Sequence, residues 1–400
     1  MRQQSDTSSH RSLSPGTALF IACITSFFVG FLMANVAPVI GVAERRLSLS
    51  AAQVGWVLSA MLASHSVLLF VGGEFIDRWG LWKVLGTAFI ILTLASALQT
   101  AAQSFGALLA ARLIMGVGSG LGFLSGLQLV AQHTGGGWRQ SFRQGLYGGM
   151  NHVGIVIAML TLPAGAAGLG WTGTYSIVVV LLALAAGIVW WGLYPLSRNF
   201  SPSRHIPWRE IVLDRRSWWF CLAHGMTFGI YLSLVSWLVK YLRGAYGADV
   251  GLATAVSTGL TTWAFLCRMG GGYLAALVGE RRLVMWATAG VVAAFALMVI
   301  WAALWPAVIG LALAVLALNV PFGAIFALAG RSFPGGMTGR RLSFILTPAS
   351  VLAFVLPVIY GYVLEASRSY ALGFLPWAVI GGLMFVVLVT QQSTVLRTVK

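Results

Sequence analysis

Four hundred residues, 58% hydrophobic and only 8% charged, exclude a soluble domain, in which about 25% would be charged. A net charge of +16 on a soluble chain would suggest nucleic acid, but here the positive residues lie in short segments between apolar runs, so they mark topology and no nucleic-acid partner is expected. Cys23, Cys221 and Cys267 all lie in apolar runs with no C-x-x-C spacing, which argues against a disulfide framework or a metal site.

Residues 1–15 are polar and Ser-rich and are expected to form a tail. Apolar runs follow at about 16–41, 52–75, 83–103, 105–131, 144–168, 172–196, 217–242, 251–278, 283–304, 306–330, 342–365 and 370–392. Each supplies the roughly 20 residues a helix needs to cross a bilayer core. The first is too long for the apolar core of a signal peptide. Helices are the natural assignment, because in lipid they satisfy their own backbone, whereas a barrel would show shorter alternating segments. The expected fold is therefore all-α and integral to the membrane, with twelve transmembrane helices.

The longest break, 197–216, is basic and contains proline. It divides the chain into a six-helix bundle over 16–196 and a second over 217–393, with a tail at 394–400. Within the break, 206–212 has the pattern of a short amphipathic surface helix, with a disordered linker as the alternative. Only Arg45, Arg46, Lys240, Arg243 and Arg368 fall in loops on one side of the membrane. Apart from Arg112 and Arg268, every other Lys and Arg falls on the side of the termini. The positive-inside rule then predicts both termini in the cytoplasm.

The stretch 73–83, GEFIDRWGLWK, is a charged turn between the second and third runs, so it must lie at a membrane surface. Asp77 there can pair with Arg78 or a neighbour, or cap the next helix. Gly73 and Gly80 permit close approach and a tight reversal. The pattern of Gly73, Asp77, Arg78, Gly80 and Lys83 resembles the loop signature of the major facilitator superfamily. That resemblance implies two six-helix bundles around a central cavity, with this turn as a gate latch. An ordinary surface turn is the alternative. A weak second copy exists at 268–282: aligning Gly272 with Gly73 places Gly279 on Gly80, Arg282 on Lys83, and Ala276 on Asp77. The second copy lacks the acid at that position, so a one-sided latch is expected.

Arg112 lies in the fourth helix, ahead of Gly116, Gly118, Gly120 and Gly122. An arginine within a span is costly and marks a functional candidate. The stretch resembles the superfamily's fourth-helix motif, whose arginine is associated with proton or substrate coupling. A structural arginine bonding backbone carbonyls is the alternative. Arg268 lies about ten residues from the inner end of the eighth helix, and none of the nine acids falls inside a span. A buried cation without a carboxylate needs water, carbonyls or an anionic ligand. This favours an anionic small-molecule substrate, held by a bidentate contact.

His65, His152 and His224 lie in the second, fifth and seventh helices, and any of them could carry a coupling proton or simply pack. Asn319 precedes Pro321 in the tenth helix, where the break places an amide at depth. Asn151 and Tyr231 are further polar candidates for the substrate site. The fifth helix, GLYGGMNHVGIVIAMLTLP, and the tenth-helix exit, GAIFALAGRSFP, resemble the nitrate/nitrite porter branch. In that resemblance Arg268 takes the position of one of two anion-binding arginines. Leu69 stands where the other would be, His152 replaces an Asn, and the eleventh helix, RRLSFILTPASVLAFVLP, lacks the branch's glycine-rich signature. These departures point to a related small anion or carboxylate rather than nitrate.

There is no P-loop, nucleophile–base pair or metal box, so neither an enzyme nor an ATP-driven pump is expected, and no cofactor. The expectation is a monomeric secondary transporter in a bacterial inner membrane, with protons as coupling ion. Two other readings remain open: a proton-antiport exporter of drug-like compounds, and a transport-dead sensor. The fifth helix lacks the superfamily's antiporter run, and no sizeable soluble domain supports a sensor.

Overall fold

The computed structural model describes residues 13–133, 138–197, 206–298, 303–333 and 337–395. The expected tails therefore lie largely outside the described residues, as does 198–205 of the linker.

Helix α1 (Pro15–Ala34) starts on Ser14, whose hydroxyl accepts the Thr17 N–H, with proline in the first turn. It stops short of the expected 16–41 run. Pro38 cannot donate to a helical ladder and disfavours helix in the residue before it, so a 3-10 turn at Ala37–Val39 leads into a separate α2 (Ile40–Leu47). Helix α3 (Ala51–Trp79) opens with a reciprocal Ser50/Gln53 capping box. Then come α4 (Leu81–Ala101), α5 (Phe105–His133) and α6 (Trp138–Ser197). Helix α6 is two crossings folded at Gly170, whose φ of 67° falls between the two expected runs. The surface helix expected in the linker forms as α7 (Trp208–Leu213).

The second half begins with α8 (Arg215–His224), a π-helical stretch at Gly225–Ile230, and α9 (Tyr231–Tyr246), which together make one crossing. It continues with α10 (Val250–Val278), α11 (Glu280–Met298), α12 (Leu304–Asn319), α13 (Phe322–Ser332), α14 (Gly339–Ser367) and α15 (Leu375–Val395). Ten stretches of the described chain are long and apolar enough to span a bilayer. The stretch Arg139–Leu196 reverses at Gly170 and crosses twice, and α11 supplies a further span, which gives twelve.

Lipid tails are as apolar as leucine, so burying apolar side chains does not drive helices together in a membrane; close van der Waals packing does. The glycine row of α5 is such a seam. A Cβ at Gly116 would fall on the Met61 carbonyl, and one at Gly120 would crowd the His65 carbonyl at 2.7 Å. Across the halves, α3 packs on α14, and the first crossing of α6 packs on α10 and α13. These seams position the polar groups described next.

Candidate functional site

At the end of the bundle that carries the linker, Asp77 reaches across to the other half. Its carboxylate accepts the Gly339 N–H at 2.8 Å and the Arg340 N–H at 3.0 Å. These are orphan donors at the start of α14, where the helix dipole also favours negative charge. The expectation that Asp77 caps the next helix is thereby corrected: the start of α4 has no side-chain cap, and Asp77 caps a helix of the opposite half. Arg78 is exposed. The arginine that joins the halves here is instead Arg340, which pairs with Glu74 and donates to the Ile206 carbonyl at 2.8 Å. Gly73 donates its N–H to Ser343 Oγ at 2.8 Å, and a Cβ there would overlap the Gly339 carbonyl. Gly80 then reverses the chain at φ 87°, a conformation costly for any residue with a Cβ.

The second copy of the turn is not without an acid. Gly279 mirrors Gly80 with φ 84°, as the alignment predicts. Ala276 does replace Asp77, but Glu280, four residues on, accepts from Ser141 Oγ at the start of α6 and pairs with Arg331 of α13. The expectation that only the first turn carries an acid contact across the halves is therefore corrected: the acid has moved past the turn, and through Ser141 it still reaches the opposite half.

Arg268 is 2% exposed and lies where α6, α10, the π-helical stretch and α12 converge. Its Nε donates to Asn319 Oδ1 at 2.9 Å, Nη1 to the Gly148 carbonyl at 3.1 Å, and Nη2 to the Thr227 carbonyl at 3.5 Å. The guanidinium lies 4.2 Å from the Phe322 ring centroid and 5.9 Å from that of Tyr231. Asn319 is held in turn by its amide on the Val315 carbonyl at 2.8 Å, just where α12 ends before Pro321. All three partners are neutral acceptors, so the charge is solvated but not neutralised. His152 packs its ring 5.1 Å from Tyr231 and brings Nδ1 within 3.3 Å of the same Gly148 carbonyl. Arg268, Asn319, Tyr231 and His152 thus form one cluster between the halves. Asn151 is buried one residue away, but its carbonyl backs onto Gly30 of α1 and it is not among the acceptors of Arg268.

Arg112 does not join that cluster. Its Nε donates to the Val57 carbonyl at 3.2 Å, and Nη1 donates to the Leu32 carbonyl at 3.0 Å and to Asn35 Oδ1 at 2.8 Å. Tyr175 OH completes the network on the Asn35 carbonyl at 2.5 Å. Arg112 therefore ties α1, α3 and α5 of the first half together. Arg112→Ala is expected to lower the unfolding free energy by about 2–3 kcal/mol, because buried acceptors lose their donor. A thermal-unfolding midpoint in detergent checks this.

His65 is fully buried and bonds Ser119 Oγ at 2.7 Å, within the first half. His224 sits among Phe228, Phe322 and Phe326 and has its Nδ1 3.3 Å from Thr227 Oγ1. Several groups in these contacts carry no signal in the sequence. The carbonyls of Gly148 and Thr227 carry no residue signature. The π-helical stretch, a geometry frequent at functional sites, has no sequence marker here. Arg340 and Arg331 were legible only as inner-surface charges. For Glu280 a signal existed, since it abuts the recognisable second turn.

Residues 22–271 match the family model described as Major Facilitator Superfamily. Among curated relatives, a protein of Cupriavidus necator described as "Probable sulfoacetate transporter SauU" is 26% identical over 396 residues, covering 89% of each chain. A Mycobacterium tuberculosis protein described as "Probable nitrate/nitrite transporter NarK2" is 25% identical over 347 residues, covering 83% of this chain and 85% of that one. Among solved structures, the transporter FucP in its outward conformation superposes with a TM-score of 0.76 at 15% identity, covering 93% of this chain and 98% of that one.

Proposed function

The chain belongs to the Major Facilitator Superfamily, and from that premise we propose that it moves a small organic or inorganic anion across the membrane by alternating access, coupled to protons. The observation that carries this reading is Arg268: a buried cation between the halves, held by neutral acceptors only. The described acids, Glu44, Glu74, Asp77, Glu210, Asp214, Asp249, Glu280 and Glu365, lie at helix ends or in loops. A cation substrate would find no carboxylate among them at that depth, whereas an anion would meet an unneutralised guanidinium. The descriptions of the sulfoacetate and nitrate/nitrite relatives support the same substrate class. The latched end is assigned to the cytoplasm with both termini, on the asymmetry of Lys and Arg, in a bacterial inner membrane. The protein is taken to work as a monomer.

In this reading Asp77 and Glu280 hold the cytoplasmic end shut while substrate enters from the other side. Asn319 orients Arg268, and Tyr231 and Phe322 wall the site. The test is reconstitution in liposomes with labelled nitrate, nitrite, lactate and sulfoacetate, beside one cationic drug-like compound, with and without an inward proton gradient. At least one anion is expected to enter, faster with acid outside. Movement of the cationic compound alone would overturn the anion reading in favour of the exporter.

A further inference from the structure

Of His65, His152 and His224, one stands in a special relation to Arg268. His152 Nδ1 and Arg268 Nη1 both point at the Gly148 carbonyl oxygen, at 3.3 and 3.1 Å, so a single oxygen separates them. A carbonyl only accepts, so Nδ1 carries the hydrogen in this state, and Nε2 is the basic nitrogen of the neutral ring. Nε2 has no hydrogen-bond partner among the described residues. We propose that His152 is the proton carrier, and that its imidazolium and Arg268 together form the anion site, replacing the Gly148 carbonyl as their shared partner when substrate enters. The proposal rests on the anion reading above and assigns the second cation of that site.

The chemistry closes simply. A proton from the open aqueous side adds to the Nε2 lone pair, giving an imidazolium with two N–H donors. The anion's oxygens then accept from that ring and from the Arg268 fork. At the other side the anion leaves and Nε2 returns its proton to water. A monoanion therefore travels with one proton and no net charge. Because Gly148 belongs to the first half and Arg268 to the second, the bond that the anion displaces is one that joins the halves. Loading would thus release a tie across the moving interface.

The surroundings favour His152 over the other two. Arg268 faces it from α10 with Cys267 beside it, Tyr231 packs on its ring from α9, and His224 lies on the same span as Tyr231. Tyr147 precedes it on its own helix. From α12 and α13 come Asn319 and Phe322, both on Arg268, and α1 backs α6 here with Phe27, Gly30 and Phe31. No carboxylate is among these groups, so a proton on His152 has an incoming anion as its natural counter-charge. His65 is tied to Ser119 inside one half, and His224 is enclosed by three phenylalanine rings.

The test uses the full-length protein, with nitrate and lactate as monoanion probes. Wild-type uptake is expected to fall at least tenfold between external pH near 5.5 and near 7.5 and to ignore an imposed membrane potential. In His152→Gln uptake should be weaker, change less than about twofold over that range, and become sensitive to potential. His65→Gln should keep the wild-type profile. As a measurement free of any variant, the wild-type protein in weakly buffered detergent should take up one proton per nitrate or lactate bound, read with a pH-indicator dye. A His152→Gln profile as steep and potential-insensitive as wild type, or probe binding with no proton uptake, overturns the assignment. If the wild-type protein neither binds nor moves either probe and none of the wider anion panel moves, the anion reading itself fails and this inference falls with it.

Discussion

Arg268→Gln is expected to reduce anion uptake by about 100-fold while leaving a folded protein. Losing charge-assisted hydrogen bonds to a desolvated anion removes about 3 kcal/mol of binding, which is two orders of magnitude in affinity. Glutamine still has an amide to offer Asn319 or the Gly148 carbonyl, and it no longer buries an unneutralised charge, so the unfolding midpoint should hold or rise. Arg268→Lys should fall between, because an ammonium keeps the charge but loses the planar fork. Initial uptake rates in liposomes, beside unfolding curves, distinguish these outcomes. A Gln variant that transports the identified anion as well as wild type would mean that Arg268 is only an inter-helix tie.

The second large effect is expected at the latch. Asp77→Asn removes the charge from two hydrogen bonds that join the halves, to Gly339 and Arg340, and from the favourable end of the α14 dipole. A weakening of about 2 kcal/mol shifts the balance between latched and open states roughly 30-fold. Spin labels at Lys83→Cys and Arg282→Cys, equivalent exposed positions in the two turns, should report a longer distance population in the variant. Arg78→Ala should leave that distribution unchanged, since Arg78 points outward. An unchanged distribution in Asp77→Asn would assign the hold to the Gly73–Ser343 and Ser141–Glu280 contacts alone.

Much of the fold was legible because each span is a local property. About 20 apolar residues make a crossing, a charge costs energy in lipid, and a turn residue with positive φ is most often a glycine. Thus Gly80, Gly279 and Gly170 all mark reversals where the runs break. The site was legible only in part. Arg268 and Asn319 stood out because polar groups at depth are rare. That they bond to each other was not readable, since they lie 51 residues apart on different helices. Arg112 looked equally functional in the chain, yet its donors are directed at carbonyls and an asparagine of its own half.

By itself, then, the sequence determined the twelve spans, the two halves, the charged turns and the rare polar residues within the bilayer, because hydropathy and the cost of burying charge act residue by residue. Only the tertiary structure decided which partners those residues take. Asp77 meets a helix end 262 residues away, Glu280 replaces an acid missing from its turn, and His152 meets Arg268 at one carbonyl. The physical reason is that unpaired N–H and C=O groups at helix ends and in a π-helical stretch belong to the backbone, which every residue has. No side-chain pattern announces where the backbone will be bare.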